Sequence, residues 1–238
     1  MRIKRPLAAA AAVAAAAAIC LPAQAIATPP SPQSSATAQT ARMPLERQVL
    51  HSEDGWASAG AGTPGGAGAT ADRVFDVHNR AELVAALAVA GTEPRIIRVH
   101  GDIAANTTAD GKSLTCEDYA AGTGFSLQQY LYDYDPARYG TDREPEGAQE
   151  TARRKAAANQ AAVIRWDIPG NTTIVGASPD SSITGAALRI NRANNVIFRN
   201  LTVRDSADCF PAWDPTDGAE GNWNSEYDLL QIINGSTT

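Results

Sequence analysis

The chain has 238 residues, with 44% hydrophobic and 19% charged residues and a formal net charge of −6. This acidic balance excludes nucleic acid and anionic membranes as partners, because both repel a negative protein. The three histidines are scattered along the chain, so its three cysteines do not form a Cys/His zinc signature.

A secretory signal opens the chain. Two arginines and one lysine precede an apolar run over residues 7–19, and small residues follow at Ala23 and Ala25. A membrane span needs roughly 20 apolar residues, and this run is shorter. We therefore predict that residues 1–25 are a cleaved signal peptide. Their removal leaves 17 Lys and Arg against 26 Asp and Glu, a formal charge of −9.

Two cysteines, Cys116 and Cys209, remain in the exported part of the chain. Secretion brings them into an oxidising compartment, where a disulfide is permitted. The sequence leaves two alternatives open, a single long-range disulfide or two buried thiols.

A linker separates the signal from the folded part. Residues 26–50 are rich in Pro, Ser, Thr and Ala and poor in large apolar residues, which is typical of disorder. We therefore assign residues 26–50 to a disordered linker and residues 51–238 to one domain.

The folded part begins with a strand, a helix and a second strand. Residues 74–77 form the first strand, and Asn79 with Glu82 resembles a capping box that starts a short helix ending at Gly91. The β-branched run over residues 95–99 predicts a buried strand.

The next segment is less regular. Residues 102–147 are polar, aromatic and rich in turn residues, so we predict an insertion loop. Residues 150–162 have high helix propensity and predict a helix whose basic side chains lie on a solvated face.

Short strands separated by turn residues follow, with no helix between them. This pattern is typical of a parallel β-helix, in which each coil stacks on its neighbour. A β-sandwich is the alternative, but no Asn-Gly or Asp-Gly hairpin signal joins strands of equal length. The apolar pattern changes phase at Asn200, as a corner between two sheets requires. The predicted strands cover residues 163–168, 172–176, 187–190, 195–203 and 228–233.

Several segments in order resemble one family. They are GAGTPGGAG, RIIRVHGDI, NTTIVGASPDSSITGAALRI, NVIFRNLTVRD and WDPTDGAEGNWNSEYDLLQIINGS. In combination they are similar to successive coils of a pectate lyase of polysaccharide lyase family 1, over roughly residues 55–238. The resemblance implies an all-β fold, a right-handed parallel β-helix, here incomplete and lacking C-terminal coils, with a short N-terminal helix.

The resemblance also implies an activity. Pectate lyases are secreted, extracellular enzymes that cleave polygalacturonate by β-elimination, in which a base removes the C5 proton and Ca²⁺ bridges protein carboxylates and the uronate. Calcium coordination stabilises the charge that develops on the uronate. A bound cation or a local basic patch is also needed to overcome the repulsion between an acidic protein and a polyanion. We expect a monomer with pectate as its partner, and neither nucleic acid nor membrane.

Two carboxylates are candidate calcium ligands. By resemblance, Asp228 matches the family's first calcium-binding aspartate, and Glu226, two positions earlier, points to the same side of an extended strand. The competing interpretation is a pair of solvated carboxylates at a strand edge. Trp213 and Trp223, in the preceding acidic loop, form a groove wall, either by stacking on sugar or by packing the loop onto the coil.

The family's remaining catalytic parts have no counterpart up to Thr238. Members continue into a W-I-D-H strand, a D-G-x-x-D segment with further calcium ligands and an arginine that acts as the base. We therefore expect no catalytic residue and negligible activity from this chain. Two alternatives remain, a pectin lyase that acts without calcium and a non-catalytic β-helical protein that binds or adheres to polysaccharide.

Overall fold

The computed structural model describes residues 43–236, which form an incomplete parallel β-helix with helices beside it. The predicted signal peptide and residues 26–42 of the predicted linker lie outside the described residues. Between residues 43 and 236, no helix is both long enough and apolar enough to cross a membrane.

Short strands make up the coils. Their bounds are β1 Val74–Val77, β2 Arg95–Val99, β3 Asp102–Ala104, β4 Arg165–Asp167, β5 Thr172–Gly176, β6 Ser182–Thr184, β7 Ala187–Asn191, β8 Val196–Arg199, β9 Thr202–Arg204, β10 Ala212–Asp214, β11 Asn222–Asn224 and β12 Leu230–Ile233. The helices are α1 Arg80–Ala88, α2 Cys116–Ala120, α3 Leu127–Asp133, α4 Pro136–Tyr139 and α5 Ala148–Ile164.

Three parallel sheets run along the coil. Their strand orders are β1-β2-β5-β8, β3-β6-β9 and β12-β7-β4. Register is kept from coil to coil, so Phe75, Ile97, Ile174 and Phe198 pair in one continuous row. The predicted parallel β-helix is therefore confirmed, and the β-sandwich alternative is wrong.

The core lies between the three sheets. Each sheet turns its β-branched and leucine side chains inward, and Ile174, Ile183 and Leu188 are at most 1% exposed. Burying such a side chain contributes about 1.5–3 kcal/mol, so the stacked rows of aliphatic residues are the main source of stability of the coil.

The predicted corner at Asn200 is confirmed. Asn200 joins β8 to β9 with a φ of 49°, in the left-handed region that asparagine tolerates. Its amide Nδ2 donates to the carbonyl of Gly176 in the neighbouring coil at 3.0 Å. A Cβ at Gly176 would lie 1.9 Å from the carbonyl oxygen of Asn200, so the two corners pack too closely for a side chain there.

Side-chain hydrogen bonds stabilise both ends of helix α1, and a buried arginine binds its C-terminal end. Asn79 caps the start of α1, since its Oδ1 accepts from the amide of Glu82 at 3.0 Å, as the sequence predicts. At the other end, the fully buried Arg95 donates to the carbonyls of Val89 and Gly91, at 2.8 and 3.0 Å. A cation at a helix C-terminus is favourable because the carbonyls there carry partial negative charge.

The segment over residues 102–147, predicted to be an insertion loop, contains strand β3 and helices α2, α3 and α4. Thr115 and Asp118 form a reciprocal capping box at α2. Tyr130 and Tyr134 are buried and stack edge to face, with ring centroids 4.6 Å apart. Local capping and aromatic packing therefore order a segment whose composition is typical of a loop.

The end of the predicted linker is also packed. Residues 45–47 form a 3-10 helix, and Glu46 binds Arg98 of β2 at 2.6 Å. Arg199 of β8 donates to the carbonyl of Leu45 at 2.6 Å. Ordered contacts with the coil thus begin before residue 51, where the sequence places the start of the domain.

A disulfide joins Cys116, the first residue of α2, to Cys209 in the loop before β10, with Cα atoms 5.4 Å apart. Of the two alternatives that the sequence leaves open, the long-range disulfide is the one present.

Candidate functional site

The outer face of the sheet formed by β4, β7 and β12 carries the candidate site. Side chains alternate across these strands, so Trp166 and Leu188 point into the core while Arg165, Asp167 and Arg189 point outward. Asp167 and Arg189 are register partners. The outer face is therefore polar and charged, whereas its inner face is apolar.

Asp228 and Glu226 lie beside this sheet, directly before β12, and both are exposed. The buried Tyr227 between them fixes the chain. Oδ2 of Asp228 accepts from Nε2 of Gln231 at 3.3 Å. The two carboxylates thus occupy the predicted strand edge, but their surroundings differ.

Glu226 is already paired. Its Oε1 accepts from Nη2 of Arg165 at 2.6 Å, although the two residues are 61 positions apart in the sequence. The guanidinium of Arg165 also lies 5.3 Å from the ring centroid of Tyr227. The sequence offers no signal for this ion pair, because neither residue belongs to a recognisable motif.

Among the residues of this strand edge, Asp228 offers the kind of oxygen donor that calcium binds. Calcium binds six to eight oxygen ligands, mostly carboxylates and carbonyls. Asp228 fits as one ligand, since its carboxylate is exposed and no cation pairs with it among the residues described. Between residues 43 and 236, no group of three or more His, Cys, Asp or Glu side chains is placed to hold a metal ion. The role of Glu226 as a second ligand stays a prediction.

A second ion pair joins β4 to the next coil, at β7. Nε and Nη2 of Arg189 donate to the two oxygens of Asp167, at 2.5 and 3.0 Å. The hydrogen bond to Asp167 raises the pKa of Arg189 further above its usual value. Negative charge from Glu226 acts in the same direction, so Glu226 lies within the electrostatic reach of both arginines.

An open cleft of about 570 Å³ runs between α5 and these charged groups. Alanines on α5 form part of its wall, together with Arg154, Arg165 and Glu226. The predicted solvated helix face thus borders a cleft at its C-terminal end. Arg153 also borders the cleft, but it is nearly buried and bound to Glu150, so it contributes mainly to the packing of α5.

The acidic loop forms an antiparallel hairpin of β10 and β11, which the sequence did not predict. Trp213 and Trp223 are register partners with ring centroids 5.2 Å apart, and Tyr130 lies 6.0 Å from Trp223. These rings line a cavity of about 240 Å³. Asp214 and Asp217 accept hydrogen bonds from Thr216 and Asn222, so both serve the hairpin turn.

Known proteins that are similar to this chain are pectate lyases. A family model described as pectate lyase matches residues 145–238. A pectate lyase of Bacillus subtilis is 44% identical over 194 residues, which are 81% of this chain and 45% of that protein. Pectate lyase A of Dickeya chrysanthemi is 30% identical over 76% of this chain and 35% of its own length.

A solved structure named as a pectate lyase bound to hexasaccharide is 44% identical and superposes with a TM-score of 0.76. The match covers 81% of this chain and 48% of that structure. The chain thus spans less than half the length of these relatives. Since sequence, family model and fold agree over residues that include the whole candidate site, the chain belongs to the pectate lyase family.

Proposed function

We propose that this chain is part of a secreted pectate lyase that cleaves polygalacturonate by calcium-assisted β-elimination. The observation that carries the proposal is the position of Asp228, an exposed carboxylate at the end of a polar sheet face in a pectate lyase fold. The likeness to a pectate lyase bound to hexasaccharide supports a polysaccharide as the ligand.

In this proposal, Asp228 supplies one oxygen ligand to calcium. When bound, the ion would neutralise a uronate carboxylate and so make the neighbouring C5 proton more acidic. Buried Tyr227 fixes the backbone beside Asp228, and Gln231 orients its carboxylate by donating a hydrogen bond. The rigid sheet therefore holds the ligand in place before calcium binds, which lowers the entropic cost of forming the site.

The function is tested by retention of the purified chain on immobilised polygalacturonate, with calcium or with a chelator. We expect calcium to increase retention, and we expect Asp228→Asn to abolish most of that increase. Asp180→Asn, an exposed aspartate in a turn far from this strand in sequence, serves as the control and should retain the calcium effect. If retention does not depend on calcium and is stronger on methylated pectin, the chain is better explained as part of a pectin lyase.

We further propose that the 238-residue chain alone turns over polygalacturonate negligibly, because Asp228 by itself cannot complete a calcium site. The absorbance of the unsaturated product, followed with calcium present, measures this. Robust turnover by the purified chain would contradict it.

A further inference from the structure

Two arginines on the outer sheet face are less exposed than the carboxylates that they bind. The side chains of Arg165 and Arg189 are each 24% exposed, whereas their partners Glu226 and Asp167 are 57% and 55% exposed. The cations are held by the protein, and the anions lie on the solvent side. Arg204, on another sheet, differs, because it and its partner Asp102 are both 48% exposed.

The embedding of the cations has visible causes. The guanidinium of Arg165 rests against the ring of Tyr227 and also donates to the Tyr227 hydroxyl at 3.4 Å. Arg189 belongs to the central strand of its sheet, between β4 and β12. The contacts with Tyr227 would therefore hold the guanidinium of Arg165 if Glu226 moved away, and the central strand fixes the backbone that carries Arg189.

The two carboxylates differ in how firmly they are held. An exposed ion pair contributes only about 0–1 kcal/mol, so Glu226, which accepts one hydrogen bond from Arg165, loses little on turning into water. Asp167 accepts two hydrogen bonds from Arg189, so an incoming carboxylate must replace both of them. The freed guanidinium presents parallel N–H groups that match a carboxylate with two hydrogen bonds. Any incoming carboxylate on the sheet face meets the same geometry.

The two arginines are also spaced along one surface. Arg165 pairs in register with Ala187, two residues before Arg189. Adjacent strands lie about 4.8 Å apart and two residues add about 6.6 Å, so their Cα atoms are about 8 Å apart. The row continues through Gln231, the register partner of Arg189, to the carboxylate of Asp228. A chain molecule lying along this face would contact all of these groups.

We propose that Arg165 and Arg189 bind carboxylates of an acidic sugar chain, and that Glu226 and Asp167 occupy these positions until the sugar carboxylates replace them. The inference rests on the proposed action on polygalacturonate and adds to it a basis for selecting free uronates. A methyl ester carries no negative charge and accepts hydrogen bonds more weakly, so esterified sugar gains less from the arginines.

The proposed exchange gives an acidic protein two cationic contacts for a polyanion. Each sugar carboxylate that replaces a protein carboxylate takes over its contact with the arginine, while the displaced side chain keeps its negative charge in the solvent. Binding therefore proceeds by exchange of anions at the arginines. Glu226 acts as a competitor for Arg165 in this arrangement.

The experiment measures the affinity of the whole chain for polygalacturonate and for highly methylated pectin by affinity electrophoresis, with calcium and with a chelator. The chelator separates a loss of Glu226 as a predicted calcium ligand from its loss as a competitor for Arg165. We expect Arg165→Gln and Arg189→Gln each to weaken binding of polygalacturonate about tenfold and to leave binding of methylated pectin unchanged. Arg204→Gln removes the same charge elsewhere and should bind like the wild type.

The Glu226→Gln variant tests the proposal by the direction in which its affinity for polygalacturonate changes. If Glu226 competes with the sugar, its neutralisation strengthens binding of polygalacturonate severalfold, whereas a structural ion pair would make this variant as weak as Arg165→Gln. Thermal unfolding of each variant confirms folding, and Arg165→Lys should recover part of the affinity.

The outcomes separate the two proposals. If the wild type binds and Arg165→Gln binds as well as Arg204→Gln, the inference alone is overturned. Weaker binding by Glu226→Gln than by the wild type in the chelator overturns it too. Failure of the wild-type chain to bind either polymer overturns the inference and counts against the proposed function as well.

Discussion

At the scale of single residues, Glu150 shows how a buried charge is made tolerable. Its carboxylate accepts from Arg153, Arg154 and the hydroxyl of Tyr130, at 2.7 to 2.9 Å. Burial alone would raise the pKa of Glu150, but these hydrogen bonds outweigh it and hold the pKa below its usual value. The carboxylate thus ties α5 to α3, which places the helical wall of the cleft.

This arrangement predicts a loss of stability in acid. Since the folded pKa lies below the unfolded value near 4.5, the stabilisation is complete above that value and is lost as the pH falls through the folded pKa. Glu150→Gln should cost about 3–5 kcal/mol at neutral pH, because Arg153 is left buried without its partner. Denaturant unfolding from pH 7 to pH 3 measures both effects.

The exposed Glu220→Gln is the control, with unchanged unfolding at neutral pH. If Glu150→Gln unfolded with the wild-type midpoint and the same pH dependence, the carboxylate would not anchor α5.

The sequence predicts the position of Asp228 in the site but does not predict the ion pairs beside it. The position of Asp228 follows from a motif in continuous sequence, so a resemblance is enough to find it. The pairs of Arg165 with Glu226 and of Arg189 with Asp167 join residues on different coils. Their formation depends on which positions stack, and a sequence without known register does not contain that information.

At the scale of elements, the corners decide where one sheet ends and the next begins. Asn171, Asn195, Asn200 and Asn234 all have a positive φ. Nδ2 of Asn195 donates to Oδ1 of Asn171 on the neighbouring coil at 2.7 Å. The asparagines therefore combine a backbone conformation that most residues avoid with a side-chain bond between coils.

Substitutions at Asn200 separate these two contributions. Asn200→Gly keeps the backbone accessible and loses the bond to Gly176, at a cost of about 1 kcal/mol. Asn200→Ala loses the bond and also places a Cβ in the left-handed region, which adds about 1–2 kcal/mol. We expect unfolding free energies in the order wild type, Gly, Ala, measured with urea. An alanine variant as stable as the wild type would show that the corner has another cause.

Sequence reasoning found the longer strands and missed several of the three-residue strands. Strands β2, β5 and β7 have five residues each, rich in β-branched or aliphatic side chains, and such runs stand out. Strands β3 and β6 have three residues each, too few for a periodic signal. They are strands because the coil places them between fixed neighbours, a tertiary effect that local propensity does not include.

At the scale of the whole molecule, the disulfide ties the helical region to the loop before the hairpin. Cys116 and Cys209 are 93 positions apart, and closing so long a loop restricts the unfolded chain. We expect Cys116→Ser with Cys209→Ser to lower the free energy of unfolding by about 2–5 kcal/mol. The wild type unfolded under a reducing agent should match the double variant. Equal midpoints for oxidised and reduced wild type would mean that the bond adds no stability.

The parallel register has a consequence for the speed of folding. Partners in the first sheet are distant in sequence, since Val74 pairs with Ile96 and Arg95 with Thr172. Each pairing must close a loop before it gains contacts, so a fold of this kind forms slowly. We expect the two cysteines to meet after the coils between them have stacked, so that oxidation of the thiols marks a chain already wound; trapping of free thiols during refolding measures this order.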